Sequence, residues 1–499
     1  MTVLVLGDQL TDRVGPLASR PDERALLVEA RSFAGRHPYH PHKRTLVFSA
    51  MRHFRERLRE RGRTVDYRRA ETFADALDAH FEARSDDELT VMRPASHGAA
   101  ARLRELVDAR GGRLTVVENE TFLCPPAAFD DWYDGDGLRH ETFYRWMRRR
   151  TGYLMDDGDP VGGEWNYDES NRETPPDGYD PPDPPSFDPD DVTRAVQADC
   201  EDWFGEGWAD PGPFRWPVTR ADAREALDDF VAHRLRDFGP YQDAMVDGEW
   251  ALDHALLSPA LNLGLLHPRE VVEAAVDAYD AGDAPLASVE GFVRQVLGWR
   301  EFVRHAYRID MPELDDANRL GAERELPPLY WDGDTDMACV DAAVDSVRTR
   351  GYAHHIQRLM VLSNLGLLYG VDPHALSRWF HVAFVDGYHW VATPNTVEMG
   401  QYAGDLFATK PYAASANYVD RMSDHCATCR YDPDATTGAD ACPLNSLYWD
   451  FLAANEDDLR ANHRMGLVYS HLDDIDDDRL DASRERASAV RDGLRRGDV

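Results

Sequence analysis

The chain begins with the segment Met1–Leu10, MTVLVLGDQL, in which the apolar run Val3–Leu6 is followed by the turn residues Gly7, Asp8 and Gln9. A short apolar run that ends in this way is typical of a buried strand. The pattern recurs, and further strands are predicted at Ala25–Val28, Thr64–Tyr67, Leu89–Met92 and Leu114–Val117. Helical stretches such as Arg44–Arg61 and Ala99–Arg110 lie between these runs. The alternation predicts a mostly parallel, doubly wound sheet.

The rest of the chain follows a helical pattern. The stretches Ala221–Phe238, Ser288–Ile309 and His354–Tyr369 carry apolar residues at helical spacing. Before them lies ETPPDGYDPPDPPSFDPDD, residues 173–191, whose proline and aspartate content predicts an irregular linker. The Asp- and Arg-rich C-terminal end is expected to be solvated. We therefore expect an α/β domain over residues 1–125, a linker region over 126–198 and an all-α domain over 199–499.

The charge balance is strongly acidic: 91 Asp and Glu residues face 55 Lys and Arg residues, and the only lysines are Lys43 and Lys410. Such a composition is typical of proteins from salt-accumulating halophiles, although a biased codon supply would also produce it. A net charge of −36 argues against a DNA partner. At about 1 M salt, however, the Debye length is about 3 Å, so a pocket for an extruded base and aromatic stacking would still bind DNA.

Several classes of protein are excluded by missing patterns. No apolar run reaches the roughly 20 residues that span a bilayer, and the N-terminus carries no cationic leader. We therefore expect a cytoplasmic protein without membrane contact. Neither lysine follows a glycine, so there is no Walker A loop, and G-x-S-x-G, H-E-x-x-H and a G-x-G-x-x-G after the first strand are absent as well.

Four of the six cysteines have the spacing of a metal site. Cys426 and Cys429 form a C-x-x-C pair, Cys442 precedes a proline, and Cys339 lies far upstream. Two disulfides are disfavoured in a cytoplasmic protein. Zinc usually takes two close pairs, and a final Cys-Pro recurs in iron–sulfur sites, so spacing alone leaves zinc and a cluster open. Four cysteine ligands close the coordination sphere, which predicts a structural role.

The helical half also concentrates polar residues of functional type. Ser258-Pro259 opens a helix and offers donors to a phosphate, or else Ser258 simply caps that helix. Gln295 and Trp299 are four residues apart and share one helix face. His354 and His355 are adjacent, so on a helix only one of them can face a given ligand squarely.

Taken in order, these segments resemble a known family. The segments that carry the resemblance are GDQL (7–10), FSAMRHF (48–54), GGEWNYD (162–168), LLSPALNLG (256–264), EGFVRQVLGWREF (290–302), YAHHIQRLM (352–360) and TKPY (409–412), followed by the C-x-x-C. The chain is similar, from Leu4 to about Asn462, to the iron–sulfur bacterial cryptochromes and photolyases, which include prokaryotic (6-4) photolyases. The resemblance implies an α/β antenna domain, an all-helical domain that holds FAD, and a [4Fe–4S] cluster on the four cysteines.

The resemblance also assigns roles to single residues. It implies FAD contacts from Tyr241, His254, Ser258, Asn262, Gln295, Arg300, Arg358, Asp386 and Asn395. It places a ribolumazine-type antenna near Asp8, Gln9 and Glu29, at the carboxyl ends of the first strands. Trp379, Trp331, Tyr388 and Tyr418 resemble the aromatic chain that re-reduces the flavin.

The implied reaction is light-driven electron transfer from reduced FAD to a (6-4) photoproduct in UV-damaged DNA, by a monomer. His355 is the preferred proton donor, with His354 beside it, and Gly162–Asp168 is expected to contact DNA. Photolyases generally follow D-x-D-x-x-x-N, but counting from Asp386 puts Tyr388 and Ala392 in the later places. Ala392 favours a blue-light photoreceptor without repair activity. A cluster- or zinc-binding DNA-associated protein without flavin is a third reading.

Overall fold

The computed structural model describes residues 1–499. The first part of the chain forms a five-stranded parallel sheet of order β3-β2-β1-β4-β5, as the alternation predicted. The strands are β1 Thr2–Val5, β2 Arg24–Ala30, β3 Val65–Ala70, β4 Glu88–Met92 and β5 Arg113–Val117, and β6 Met155–Asp156 and β7 Asp159–Pro160 form a short hairpin. Val3 of β1 pairs with Ala25 of β2 and with Thr90 of β4, so β1 is central.

Helices make up most of the remaining structure. The first group is α1 Gly15–Ser19, α2 Arg31–Ala34, α3 Pro41–Glu60, α4 Phe73–Ala83, α5 Ala99–Asp108, α6 Pro126–Trp132, α7 His140–Thr151, α8 Asp191–Phe204, α9 Arg220–His233, α10 Leu235–Tyr241, α11 Ser258–Leu263, α12 Pro268–Ala281 and α13 Leu286–Val293. The second group is α14 Glu301–Asp310, α15 Leu329–Asp332, α16 Ala338–Arg350, α17 Asn364–Tyr369, α18 Pro373–Ala383, α19 His389–Thr393, α20 Ala416–Met422, α21 His425–Thr428, α22 Pro443–Ala454, α23 Glu456–Leu459, α24 Gly466–Asp473 and α25 Asp477–Arg496.

The sheet is apolar on both faces. Leu4 packs into a core with α4 and α5, whereas its neighbours Val3 and Val5 face a larger core that continues into the helical part of the chain. Successive side chains of a strand point to opposite faces, so a continuous apolar run is what a sheet covered on both sides requires. A third apolar core lies within the helical part and includes Val340, Leu365 and Leu447.

Of two expectations about irregular regions, the structure confirms one and corrects the other. Between Ser170 and Asp191 the chain has no helix or strand, which confirms the irregular stretch. The C-terminal end, by contrast, is not simply solvated: α25 packs against α22. Ala487, Val490 and Leu494 are buried at helical spacing inside an otherwise charged helix. A narrow stripe of small apolar residues was enough to fix this helix on the core.

No helix of the protein combines the length and apolar character needed to cross a membrane.

Candidate functional site

A large cavity opens among the helices of the C-terminal half. Its volume is about 1510 Å³, counted with its open mouth. All the residues expected to contact FAD line it except Tyr241: His254, Ser258, Asn262, Gln295, Arg300, Arg358, Asp386 and Asn395. Tyr241 instead packs against Tyr179 of the irregular linker, with ring centroids 5.0 Å apart. Residues from separate parts of the sequence therefore converge on one chamber.

Three π-helical segments build much of the cavity wall. They are Arg294–Arg300, Gln357–Ser363 and Pro394–Gly400, and each continues into or from an α-helix. Gln295, Arg358 and Asn395 belong to these segments and line the cavity. The wider turn of a π-helix shifts side chains relative to the α-helical register, and such segments recur at functional sites. Residue spacing in the sequence predicted helices here but gave no sign of the wider turns.

Asp386 organises one side of the cavity. Its carboxylate accepts two hydrogen bonds from Arg358, at 3.0 and 3.1 Å, and one from the Ser258 hydroxyl at 2.6 Å. Its backbone carbonyl accepts a bond from the Asn262 amide at 3.1 Å. Ser258 therefore does not cap its helix, because Leu257 holds the N-cap position without a side-chain bond. A buried carboxylate paired with a guanidinium in this bidentate way is held rigidly.

Arg300 brings a buried positive charge to the cavity lining. Burial lowers the pKa of its guanidinium to about 10, although the neighbouring Glu301 opposes this shift. Its Nη1 lies 3.2 Å from Glu301, but its buried Nε has no hydrogen-bond partner in the protein. The guanidinium also lies over the Phe122 ring, 4.2 Å from the centroid. A buried cation with a free donor suits an anionic ligand group.

Three histidines meet beside the cavity. The rings of His254 and His354 stack at 4.6 Å with an angle of 12°, and His355 meets His254 edge-on at 5.3 Å. Both ring nitrogens of His354 and Nε2 of His254 are buried without partners. His355 is 46% exposed, and its Nε2 lies 3.2 Å from the Asp243 carboxylate. Since a carboxylate only accepts, Nε2 of His355 carries the hydrogen of this bond.

The same trio places its ligand nitrogens within 4.8 Å of one another, which raises the question of a metal ion. The lone pairs of an imidazole lie in the ring plane. Because His254 and His354 stack almost parallel, their lone pairs lie in parallel planes and do not converge on one point. The arrangement is therefore better suited to a neutral, hydrogen-bonding pocket than to metal coordination.

The burial of several histidines also makes the stability of the fold depend on pH in the acid range. It lowers the pKa of His254 and His354 well below 6.5, and that of His40 and His140 to about 3. The unfolded chain therefore binds more protons below pH 6.5, so the stability these groups contribute is complete above pH 6.5 and is lost as pH falls toward 3. We expect the free energy of unfolding to fall by about 1.4 kcal/mol per pH unit for each such histidine.

The contribution of His140 can be measured by comparing the thermal unfolding of His140→Phe and of the wild type between pH 8 and pH 5. His140 stacks on Trp299 at 3.8 Å, so phenylalanine keeps the aromatic contact but cannot bind a proton. The variant should lose less stability on acidification. His233→Gln, at an exposed position, should follow wild type. Parallel curves for His140→Phe and wild type would contradict the assignment.

The four predicted metal ligands share one pocket. Cys339, Cys426, Cys429 and Cys442 all line one mostly apolar pocket, and none forms a disulfide. Burial and the three neighbouring thiols raise the pKa of Cys339. Four thiols that meet in one pocket fit either a single zinc ion or an iron–sulfur cluster.

Two of the three residues expected around an antenna are hydrogen-bonded to other groups of the protein. Gln9 donates its amide hydrogens to the backbone carbonyl of Met92 at the end of β4, at 3.0 Å. Glu29 receives two bonds from Arg52, at 2.6 and 2.9 Å, and is fully buried. Asp8 alone has no such partner, and burial raises the pKa of its carboxyl to about 6. Gln9 and Glu29 thus stabilise the sheet, and only Asp8 keeps a free polar group.

The aromatic candidates occupy different depths. Trp379 is buried against Phe380 and Phe384, which line the cavity, and donates its indole N–H to the Tyr330 carbonyl at 2.9 Å. Trp331 is half-buried and meets Trp208 edge-on at 5.1 Å. Burial, with Asp8 and Asp386 nearby, raises the pKa of Tyr388, and burial raises that of Tyr418 to about 12. Both tyrosines are therefore neutral phenols.

Some residues around the cavity carry no assigned role in the sequence analysis. Trp299 lines the cavity beside Gln295, and Asp243 is bonded to His355. Trp299 shares a helix face with Gln295 in the sequence, but nothing in the spacing of either residue shows what it contacts. Lys43, from the N-terminal part of the chain, contacts the backbone on either side of Asp386. Its only signal in the sequence is that lysine is so rare.

Comparison with known proteins agrees with this architecture. Residues 3–216 match the family described as deoxyribodipyrimidine photo-lyase-related protein. The chain is 40% identical over 497 residues to a (6-4) photolyase of Agrobacterium fabrum, covering 98% of both chains. It is 26% identical over 335 residues to a deoxyribodipyrimidine photo-lyase of Halobacterium salinarum, covering 62% of this chain and 64% of that protein.

Solved structures show the same fold at low sequence identity. A class III photolyase from Agrobacterium tumefaciens superimposes with a TM-score of 0.61 at 16% identity, covering 99% of this chain and 97% of that one. A cryptochrome from Synechocystis superimposes with a TM-score of 0.58 at 17% identity, over 87% and 90% of the two chains. With a parallel sheet, a helical cavity domain and a relative matched over its whole length, the chain belongs to the deoxyribodipyrimidine photo-lyase-related family and has the photolyase/cryptochrome fold.

Proposed function

We propose that the protein is a light-driven (6-4) photolyase, which binds FAD in the large cavity and repairs (6-4) pyrimidine photoproducts in UV-damaged DNA. The observation that carries the proposal is the cavity itself. A chamber large enough for a dinucleotide combines the buried Arg300, the Asp386–Arg358 pair and His355 in one lining. The full-length relative named (6-4) photolyase supports the choice of lesion.

The donors around the cavity fit FAD. The free Nε of Arg300 can pair with a phosphate, and Asn395 uses its amide hydrogens on the Val391 carbonyl, which leaves its oxygen free. When it is bound and reduced, FAD supplies an electron to the lesion after absorbing blue light. The protein residues hold the cofactor, position a damaged base beside it and donate a proton to that base.

His355 is the proton donor in this proposal. Negative charge that arrives on a pyrimidine is stabilised by a nearby acid, and imidazole is suited to this task. His355 stands exposed at the cavity with its Nε2 bonded to Asp243, whereas His354 is buried and its pKa is lowered. His354 does not line the cavity and stays a buried, neutral neighbour, while His355 lines the cavity and reaches solvent.

The other expectations complete the proposal. The four-cysteine pocket would hold a [4Fe–4S] cluster in a structural role, and a ribolumazine-type antenna would bind near Asp8, Gln9 and Glu29. Trp379, Trp331, Tyr388 and Tyr418 would form the aromatic chain that reduces the flavin. Residues 1–125 would form the antenna domain, 126–198 the linker and 199–499 the FAD domain of a monomer.

Arg300→Met tests the cofactor assignment. Losing a charge-assisted contact to a phosphate costs about 1.5–3 kcal/mol, so the dissociation constant for FAD should rise by about ten- to a hundredfold. Titration of the apoprotein with FAD measures it. Arg304→Met is the matched control, because Arg304 is buried over the same Phe122 ring but does not line the cavity. Equal FAD affinity in both variants would contradict a role for Arg300.

A repair assay tests the function. Reduced protein in high salt is mixed with an oligonucleotide that contains one (6-4) photoproduct, beside one that contains a cyclobutane dimer, and both are illuminated with blue light. Loss of only the (6-4) lesion, dependent on light, is the expected result. Repair of neither lesion by FAD-loaded protein would overturn the proposal.

One observation favours a photoreceptor as the second candidate. Ala392 lines the cavity at the position where the family pattern predicts a residue facing flavin N5. A methyl group can neither donate nor accept a hydrogen bond there. A flavin-loaded protein that repairs neither lesion but changes its flavin absorption under light would support this reading.

A further inference from the structure

Lys43 is one of only two lysines in the chain, and it is buried in the first turn of α3. Neither feature of this position favours a lysine. A cation near a helix N-terminus opposes the helix dipole, and a buried ammonium costs free energy unless it is paired. The position must therefore provide compensating contacts.

Most of those contacts come from the helical part of the chain. The Lys43 ammonium donates to the carbonyl of His381 at 2.5 Å and to that of Gly387 at 2.6 Å. It also lies 5.1 Å and 5.4 Å from the ring centroids of Tyr39 and Tyr388. Carbonyls and aromatic faces are both favourable partners for an ammonium.

The contact caps the end of α18. His381 is in the last turn of that helix, where the final carbonyls have no partner within the helix. The backbone N–H of His40, the N-cap of α3, donates to the carbonyl of Val382 at 2.9 Å. The start of α3 thus meets the end of α18, and the lysine charge lies at the negative end of the second helix.

The capped segment leads directly to Asp386. Gly387 packs so closely that a Cβ there would lie 2.4 Å from the Phe380 carbonyl oxygen, so the turn is fixed against the helix end. Lys43 holds this turn on one side of Asp386, and Arg358 and Ser258 hold its carboxylate on the other.

We infer that Lys43 is a positioning residue for the cofactor cavity: by fixing the backbone from His381 to Gly387, it sets the direction of the Asp386 carboxylate. The inference rests on the proposed binding of FAD in that cavity. It implies that the sheet domain contributes to flavin affinity without touching the flavin pocket, since Lys43 is not among the residues that line it.

Titration of the apoproteins with FAD in the dark tests the inference. For Lys43→Met we expect a dissociation constant about tenfold or more above wild type, and for Lys43→Arg, which keeps the charge, a smaller rise. Arg44→Met is the matched control, because Arg44 follows Lys43 on α3 but donates to Ala34 and His37 within the N-terminal part. It should bind FAD as wild type does.

A double-mutant cycle with Ser258→Ala separates positioning from general loosening. If Lys43 acts through Asp386, the effects of Lys43→Met and Ser258→Ala on FAD affinity should be non-additive. If Lys43→Met does not fold, Lys43→Gln takes its place, because glutamine removes the charge but keeps an N–H donor group. Additive effects, or wild-type affinity in the Lys43 variants, would overturn the inference. Failure of the wild-type chain to bind FAD would instead remove the proposed function.

Discussion

Replacing His355 by alanine should lower the rate of light-driven (6-4) repair by about a hundredfold or more while leaving FAD bound. The loss of a positioned general acid typically costs a factor of about 10²–10⁴. His355 is the histidine of the trio that reaches solvent, and its Nε2 is held by Asp243 at 3.2 Å. Single-turnover repair at saturating enzyme, with FAD occupancy measured in the same samples, isolates the chemical step.

Two further variants sharpen this test. His233→Ala is the matched control, because His233 is also an exposed histidine that contacts a carboxylate, Asp229 at 3.1 Å, but it does not line the cavity. It should repair at the wild-type rate. Asp243→Asn keeps the shape of the partner but removes its charge, and should fall between wild type and His355→Ala. If His355→Ala repairs as fast as wild type, the proton comes from elsewhere.

The sheet could be predicted because its signal is local. Each strand is an apolar run of a few residues bounded by turn residues, and β1 to β5 lie where those runs predicted them. Whole segments that resemble a known family also pointed to residues that come together: Ser258, Asn262 and Gln295 line one chamber. Their contact with FAD stays a prediction.

What could not be predicted depends on packing between distant segments. Ser258 could equally have capped its own helix, and only the approach of Asp386, 128 residues later, decides that its hydroxyl bonds there. The π-helical turns have no signature in a single sequence. The partner of Glu29 could not be predicted either: Arg52, on α3, donates to both of its oxygens.

Substitution of a cysteine in the four-cysteine pocket should remove the bound iron. Cys442→Ser should reduce the iron content from about four atoms per chain to below one, with loss of the brown colour, because serine is a poor ligand for iron–sulfur clusters. Cys442 is the N-cap of α22, and Cys339 lies in the first turn of α16. The four-cysteine pocket therefore joins helices from distant parts of the chain. Losing a structural metal site should lower the unfolding midpoint by about 5 °C or more.

Cys200→Ser is the control for the loss of a buried thiol, because Cys200 is buried but lies outside the pocket. It should keep its iron. Metal analysis of the wild type separates the two ions that spacing alone left open. About one zinc and no iron per chain would contradict the cluster.

The position of α16 predicts a consequence for the flavin as well. This helix packs against the π-helical segment Gln357–Ser363, which carries the cavity residue Arg358. If the cluster anchors the start of α16, its loss should loosen that wall, and the Cys442→Ser protein should release FAD more readily than the Cys200→Ser protein. A cluster-free protein with unchanged FAD affinity would show that the metal site stabilises only its own segment, and that the cavity is held by the Asp386 contacts alone.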